Sequence, residues 1–138
     1  MMIADSLRLR QIGSMGQTGP DQKTILVVDD DAALRSSLEF ILGVEGYAVR
    51  VYANGRELLN EADLPNCGCL VVDQRLPDIE GLQLIDTMRS RDVRLPAILI
   101  TTHPTRALRQ RAEAAKIPIV EKPLITGTLF QKIGAAFK

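Results

Sequence analysis

The sequence predicts an α/β fold: a doubly wound parallel sheet of five strands, in the order 2-1-3-4-5, wrapped by five helices. Three observations lead there. Short apolar runs recur at 25–28, 70–72, 97–100 and 117–120, and continuous rather than alternating apolar character marks strands buried on both faces. Segments with helical apolar spacing lie between them, and βα units with short, right-handed connections build a parallel sheet covered on both sides. YAVRVY (47–52) instead alternates, and the last run holds Pro118, which cannot donate to a ladder. Both belong at sheet edges, where this strand order puts them.

The first strand is expected over about 24–29. The helix after it lines up Leu34, Leu38, Ile41 and Leu42 on one stripe, with Asp30 or Asp31 to cap its start and Gly46 to end it. The edge strand 47–52 follows, then a short helix over about 55–63 carrying Leu58, Leu59 and Ala62 ahead of Pro65. A third strand, 68–73, runs into the loop DQRLPDIEG, where Pro77 and Gly81 restrict the backbone. The third helix presents Leu84, Ile85 and Met88. A fourth strand is expected at 96–101, and a fourth helix at 105–115 with Leu108, Ala112 and Ala115. The fifth strand is placed at 117–121, and the last helix carries Leu129, Ile133, Ala136 and Phe137. Residues 1–23 read as an extension, since QIGSMGQTGPDQK is polar and rich in Gly, Ser and Pro. One folded domain is therefore placed at 24–138, with Met15 as an alternative start.

At 138 residues the chain suits a single domain with its own core. Lys+Arg and Asp+Glu number 17 each, so the whole chain has no electrostatic bias towards nucleic acid or anionic lipid. Neither direct nucleic-acid binding nor membrane association is expected. No apolar stretch nears the about 20 residues that span a bilayer. MMIADSLRLRQIGSM is interrupted by Asp5, Arg8 and Arg10 and lacks the apolar centre of a signal peptide, so a cytoplasmic location is expected. Cys67 and Cys69 would share one face of a strand start and read as small buried side chains. With the single histidine, His103, they make a poor zinc set.

Polar residues close four of the apolar runs: Asp29-Asp30-Asp31, Asp73, Thr101 and Lys122-Pro123. Ligands of an open parallel sheet bind outside the carboxyl ends of its strands, so these groups are expected to converge. Carboxylates, a hydroxyl and an ammonium suit a divalent cation and a phosphoryl group. Mg²⁺ takes oxygen ligands, typically one or two carboxylates plus phosphate and water. Asp30 and Asp73 are the expected direct ligands, Asp29 acts directly or through water, and a backbone carbonyl just past Asp73, that of Arg75, adds an oxygen. The cation offsets repulsion among the carboxylates. Asp73 is then placed to attack phosphorus, since carboxylates form acyl phosphates. Thr101 and Lys122 would hold phosphoryl oxygens, in a transfer that needs positioning and charge neutralisation above all. A cis peptide before Pro123 would aim Lys122 inward. Singly, each group has an ordinary role as a turn, a cap or a surface charge. It is the order acid, acid, hydroxyl, Lys-Pro at four strand ends that specifies a site. His103, two residues past Thr101, reads as a solvent-facing loop residue or one that shapes access.

The segments VVDDD (27–31), LVVDQRLPDIEG (70–81), ILITTH (98–103) and VEKP (120–123) resemble a receiver domain of the response-regulator family of two-component signalling. The resemblance covers about residues 24–137, and its wording is similar to the subgroup that often precedes LuxR-type DNA-binding domains. It implies a flavodoxin-like fold, Asp73 as phosphoacceptor, and Asp29 and Asp30 with Asp73 at a Mg²⁺ site. It also implies Thr101 as the switch hydroxyl and Lys122 as the phosphate-contacting lysine. The implied donor is a phosphohistidine on a sensor histidine kinase or phosphotransfer protein. The implied output is a downstream protein target, met by the fourth helix, last strand and last helix, and a homodimer stands among the partners. Three departures accompany it. Ile119 occupies the place of the usual aromatic switch residue, and no aromatic lies between Tyr52 and Phe130. The stretch from Thr101 to Lys122 is one residue short and lacks the glycine expected after the fourth helix. Thr102 replaces a smaller residue beside the switch hydroxyl.

Two other functions compete. A haloacid-dehalogenase type phosphatase places a second Asp two residues after its nucleophile, where this chain has Arg75, which cannot donate a proton near neutral pH. No enzyme is therefore expected beyond Mg²⁺-assisted phosphoacceptance and self-dephosphorylation. A phosphorylation-independent binding module is favoured by Ile119 and Thr102 and opposed by the intact acidic, hydroxyl and lysine set. The chain is expected to be a single-domain regulator or a piece of a longer one. Arg106, Arg109 and Arg111 make the fourth helix basic, as a solvated face or as a seat for an acidic partner.

Overall fold

β1 (Thr24–Val28), β2 (Ala48–Tyr52), β3 (Gly68–Asp73), β4 (Ala97–Thr101) and β5 (Ile119–Glu121) form one sheet in the order β2-β1-β3-β4-β5. Every pairing is parallel. The structure, a computed structural model, describes residues 22–138; the extension expected over 1–23 lies, up to residue 21, outside the described residues. Five helices cover the sheet: α1 (Ala32–Val44), α2 (Gly55–Leu59), α3 (Gly81–Ser90), α4 (Arg106–Ala114) and α5 (Thr126–Ala136). The flavodoxin-like order expected from the two edge signals is the observed one.

Because successive strand residues point to opposite faces, the apolar runs feed two core layers. Leu26, Val28, Leu70, Val72 and Leu99 pack with Leu58 of α2, with Leu84, Ile85 and Met88 of α3, and with Leu108 of α4. Ile25, Val27, Val71, Ile98 and Ile100 point the other way, onto Leu38 and Leu42 of α1 and Leu129 and Ile133 of α5. β1, β3 and β4 are buried along their whole length, whereas β2 is half-buried, as an edge strand should be.

Several boundaries differ from expectation, for local reasons. β1 stops at Val28, although the Asp29 N–H still donates to the Tyr52 carbonyl of β2 at 3.1 Å. α2 spans only Gly55–Leu59 instead of 55–63, and Ala62 is exposed. Its start is held by tertiary hydrogen bonds: Asn54 accepts from the Glu57 N–H at 2.9 Å, and Asp78 accepts from Gly55 and Arg56 at 3.0 and 2.8 Å. β5 is three residues long, so Pro118 lies just outside it, yet its carbonyl still accepts the Leu99 N–H at 2.9 Å. Cys67 precedes β3 and is half-buried, while Cys69 is fully buried and burial pushes its thiol up to about 12. Asp31 caps α1, accepting from Ala33 and Leu34, and Gly46 follows it with φ +100°. After α4, where the sequence lacks a glycine, Lys116 itself takes the left-handed conformation, φ 60°.

Candidate functional site

The register levels the carboxyl ends of the central strands. Val28 pairs with Val72, and Thr101 pairs with Glu121, so Asp29, Asp73, Thr101 and Lys122 all emerge on one rim. The Lys122 N–H donates to the Thr101 carbonyl at 2.9 Å, and the Lys122-Pro123 peptide is cis.

Asp29 is the innermost group, 1% exposed. Its Oδ1 accepts the Asp31 N–H at 2.9 Å, and its carbonyl accepts Nη1 of Arg35 at 2.7 Å. Asp73 is buried, and its Oδ1 accepts the Arg75 N–H at 3.3 Å. Lys122 Nζ bridges the two carboxylates, 3.2 Å from Asp29 Oδ2 and 3.3 Å from Asp73 Oδ2. Asp30, exposed, completes a triad with Asp29 and Asp73 whose carboxylate oxygens lie within 4.8 Å of one another. Thr101 is buried at the end of β4. Asp29, Asp30, Asp73 and Lys122 thus lie together with Thr101 at the neighbouring strand end, while Arg75, expected to offer its carbonyl, meets Asp73 through its backbone N–H.

The electrostatics are those of a charged pocket short of positive charge. Burial, then the negative charge of Asp29, push the Asp73 carboxyl above the usual range, against the pull of Lys122 and the Arg75 N–H. Burial draws the Lys122 ammonium down, but Asp29 and Asp73 together outweigh that and hold it above its ordinary value. One ammonium faces two buried carboxylates and a third at the rim. Asp29 Oδ2 is buried without a hydrogen bond, since the nearby ammonium pairs with it by charge but not by alignment. An orphaned carboxylate oxygen beside two further carboxylates fits a hard divalent cation, which prefers oxygen donors.

A cleft of about 760 Å³ opens from this site and extends past Thr101 to Thr102, His103 and the first turns of α4. His103 is exposed on its wall. Sequence reasoning passed over one group here. Gln74 accepts the Leu82 N–H at 2.9 Å through its side chain and the Gly81 N–H at 3.0 Å through its carbonyl, capping α3 where Glu80 makes no side-chain cap. Arg111 of α4 pairs with Glu80 at 3.3 Å across the cleft. A glutamine directly after a strand carries no signal for such a cap. Ile119 packs half-buried against the core layer under α2, α3 and α4.

A family model for the response regulator receiver domain matches residues 25–134. The chain belongs to the response regulator receiver family. It is 40% identical over 103 residues to the C4-dicarboxylate transport transcriptional regulatory protein DctR of Rhodobacter capsulatus, covering 72% of this chain and 52% of that one. It is 30% identical over 115 residues to the transcriptional regulatory protein FixJ of Bradyrhizobium diazoefficiens, covering 83% and 56%. The chain therefore spans about half the length of these curated relatives, and the likeness to FixJ fits the subgroup expected from the motifs. Among solved structures, a CheY-like receiver domain protein from Methanospirillum hungatei JF-1 superposes with TM-score 0.77 at 28% identity, covering 84% of this chain and 94% of that one. This receiver domain thus joins a known fold to an acidic cluster that could hold a metal ion. Among the described residues no helix is long and apolar enough to cross a membrane.

Proposed function

We propose that this receiver domain accepts a phosphoryl group on Asp73 from a sensor histidine kinase or phosphotransfer protein, and that the phosphorylated form presents an altered surface to a downstream protein. The observation that carries this reading is Lys122 Nζ, poised between Asp29 and Asp73 at 3.2 and 3.3 Å, with Thr101 buried at the end of the neighbouring strand.

In the proposed step an Asp73 carboxylate oxygen forms a bond to phosphorus as the bond from phosphorus to the donor imidazole nitrogen breaks. Hydrolysis of the acyl phosphate later returns the carboxylate and inorganic phosphate. Asp29, Asp30 and Asp73 would hold Mg²⁺, with the Arg75 carbonyl as a further donor. Bound there, the cation supplies positive charge that the carboxylates and the incoming phosphoryl oxygens share. Lys122 transfers its pairing from Asp73 Oδ2 to a phosphoryl oxygen, and Thr101 donates its hydroxyl to another. Arg75 has no proton to give near neutral pH, so the domain takes part in phosphoryl transfer without acting as a turnover phosphatase. The cytoplasm is the proposed location, and a second copy of the chain is a proposed partner. The names of DctR and FixJ support a part in gene regulation for the protein that carries this domain.

Incubation with acetyl phosphate and Mg²⁺, read by intact mass, tests the reading. The wild type gains one phosphoryl group and Asp73→Asn gains none. Ile119 and Thr102 favour a second reading, a binding module indifferent to phosphorylation, and a wild type that gains no mass favours it over the first. A mass gain that persists in Asp73→Asn moves the nucleophile elsewhere.

A further inference from the structure

The cleft beside Asp73 has two walls of unequal firmness. Its volume, about 760 Å³, is far more than one phosphoryl group fills, so its shape also acts on whatever carries that group in.

One wall is the chain just after Asp73, and every polar atom of Gln74 is engaged in building it. The Gln74 N–H donates to the Ile100 carbonyl at 2.8 Å, and its carbonyl accepts the Gly81 N–H at 3.0 Å. Its side chain accepts the Leu82 N–H at 2.9 Å and donates through Nε2 to Glu80 Oε2 at 3.2 Å. Glu80 also pairs with Arg75 in an isolated antiparallel bridge. The Glu80 carboxylate is thereby fixed on its wall, yet it makes no side-chain cap for α3. Its second oxygen, Oε1, instead accepts Nη2 of Arg111 at 3.3 Å.

The other wall is α4, which sinks only Leu108 and Ala112 into the core. Arg111 comes three residues after Leu108, on the same helix face, and both line the cleft. The Glu80–Arg111 pair thus ties a loosely seated helix to a firmly bonded loop. Neither the acidic triad nor Lys122 uses this pair.

We propose that the Glu80–Arg111 pair, anchored by Gln74, sets the width of the cleft and so selects phosphoryl donors by the bulk of their leaving group. This rests on Asp73 as the phosphoacceptor. With the pair made, α4 is held in and a slim donor enters more readily than one bearing a ring. With the pair parted, α4 yields and a ring is admitted. A phosphohistidine brings such a ring, so its delivery requires the pair to part.

The test compares two donors with the same phosphoryl group, phosphoramidate and N-phosphoimidazole, by the rate of mass gain of the full chain with Mg²⁺. With either, an Asp73 oxygen bonds phosphorus as the phosphorus–nitrogen bond breaks. The electron pair leaves on ammonia or imidazole, neutral because each donor enters with its leaving group protonated. A change of charge on the wall acts on both donors alike, so the ratio of their rates reads the width. An exposed ion pair biases an equilibrium by up to about fivefold. The phosphoimidazole-to-phosphoramidate ratio is therefore expected to rise about two- to fivefold in Glu80→Gln and in Arg111→Gln, and no further in the double variant. Wild type in about 1 M salt, which screens exposed charges, is expected to follow the variants. A ratio unchanged in both variants, or changes that add in the double variant, overturn the proposal and leave Asp73 as the acceptor. Opposite shifts in the two single variants overturn it in favour of charge alone. A wild type that gains no mass from either donor overturns the phosphoacceptor reading and this proposal together.

Discussion

Gly81 and Asp73 meet backbone to backbone. A Cβ added at Gly81 would run into the Asp73 carbonyl oxygen and lie 2.9 Å from its carbonyl carbon and from the Gln74 Cα. The start of α3 is thereby pressed onto the residue proposed to carry the phosphoryl group, and no side chain fits between them.

Gly81→Ala is expected to destabilise the domain by about 1–3 kcal/mol, the usual cost of overpacking. The gain in helix propensity, about 1 kcal/mol at most, does not offset a clash with backbone. Urea denaturation gives the stability change. Acetyl-phosphate labelling followed by intact mass is expected to slow as well, because Asp73 must shift to admit the methyl group.

Lys116→Gly is expected to do the opposite. Lys116 holds φ 60° after α4, a conformation costing a side-chain-bearing residue roughly 1 kcal/mol and glycine almost nothing. A rise in melting temperature of about 4 °C is expected. Lys116→Ala keeps the strained backbone and should show no gain.

Asp78 ties stability to acid. Its slight burial raises its pKa, but the hydrogen bonds from the Gly55 and Arg56 N–H groups outweigh that and hold the carboxyl below its ordinary value of 3.8. A carboxyl lowered by folding contributes stability that is complete above the unfolded pKa and is lost as pH falls through the lower folded value. Asp78→Ala should therefore cost about 1 kcal/mol at pH 7, as for other helix caps, with solvent screening keeping the effect small. The gap between wild type and variant should narrow below about pH 4. Denaturation midpoints measured at pH 7 and pH 3 check both statements.

Mg²⁺ is expected to stabilise the wild type by about 2.7 kcal/mol at a hundred times its dissociation constant. Asp30→Ala removes one carboxylate of the triad and leaves the Lys122 pairs untouched, so its own stability should change little while its response to Mg²⁺ weakens. Thermal melts with and without the cation, using Ca²⁺-free buffer, make the comparison.

Strand order and site were legible because both rest on interruptions in simple patterns. Pro118 and the alternation in YAVRVY marked the edges, and Asp29, Asp73, Thr101 and Lys122 broke apolar runs at the same end of every strand they followed. The glycine missing from EAAKI was visible as an absence, and the structure shows Lys116 bearing the conformation that glycine would have taken. What stayed hidden depends on contacts between distant residues. The cap that Asp78 lends to α2 crosses 22 and 23 residues, and neither it nor the shortening of α2 could follow from local periodicity. Gln74 capping α3 is equally silent in sequence, since a glutamine has no turn or cap preference of its own.

α4 is rooted shallowly: one leucine and one alanine, Leu108 and Ala112, are all it sinks into the interior. Its outer ties, Arg109 to Glu121 and Arg111 to Glu80, run between exposed groups, and pairs of that kind hold weakly. Tilting this helix would uncover little greasy surface, and elements of low local stability are the ones that relocate when proteins respond. It begins five residues after Thr101. A charge arriving on Asp73 would thus find a shallowly held neighbour one strand away.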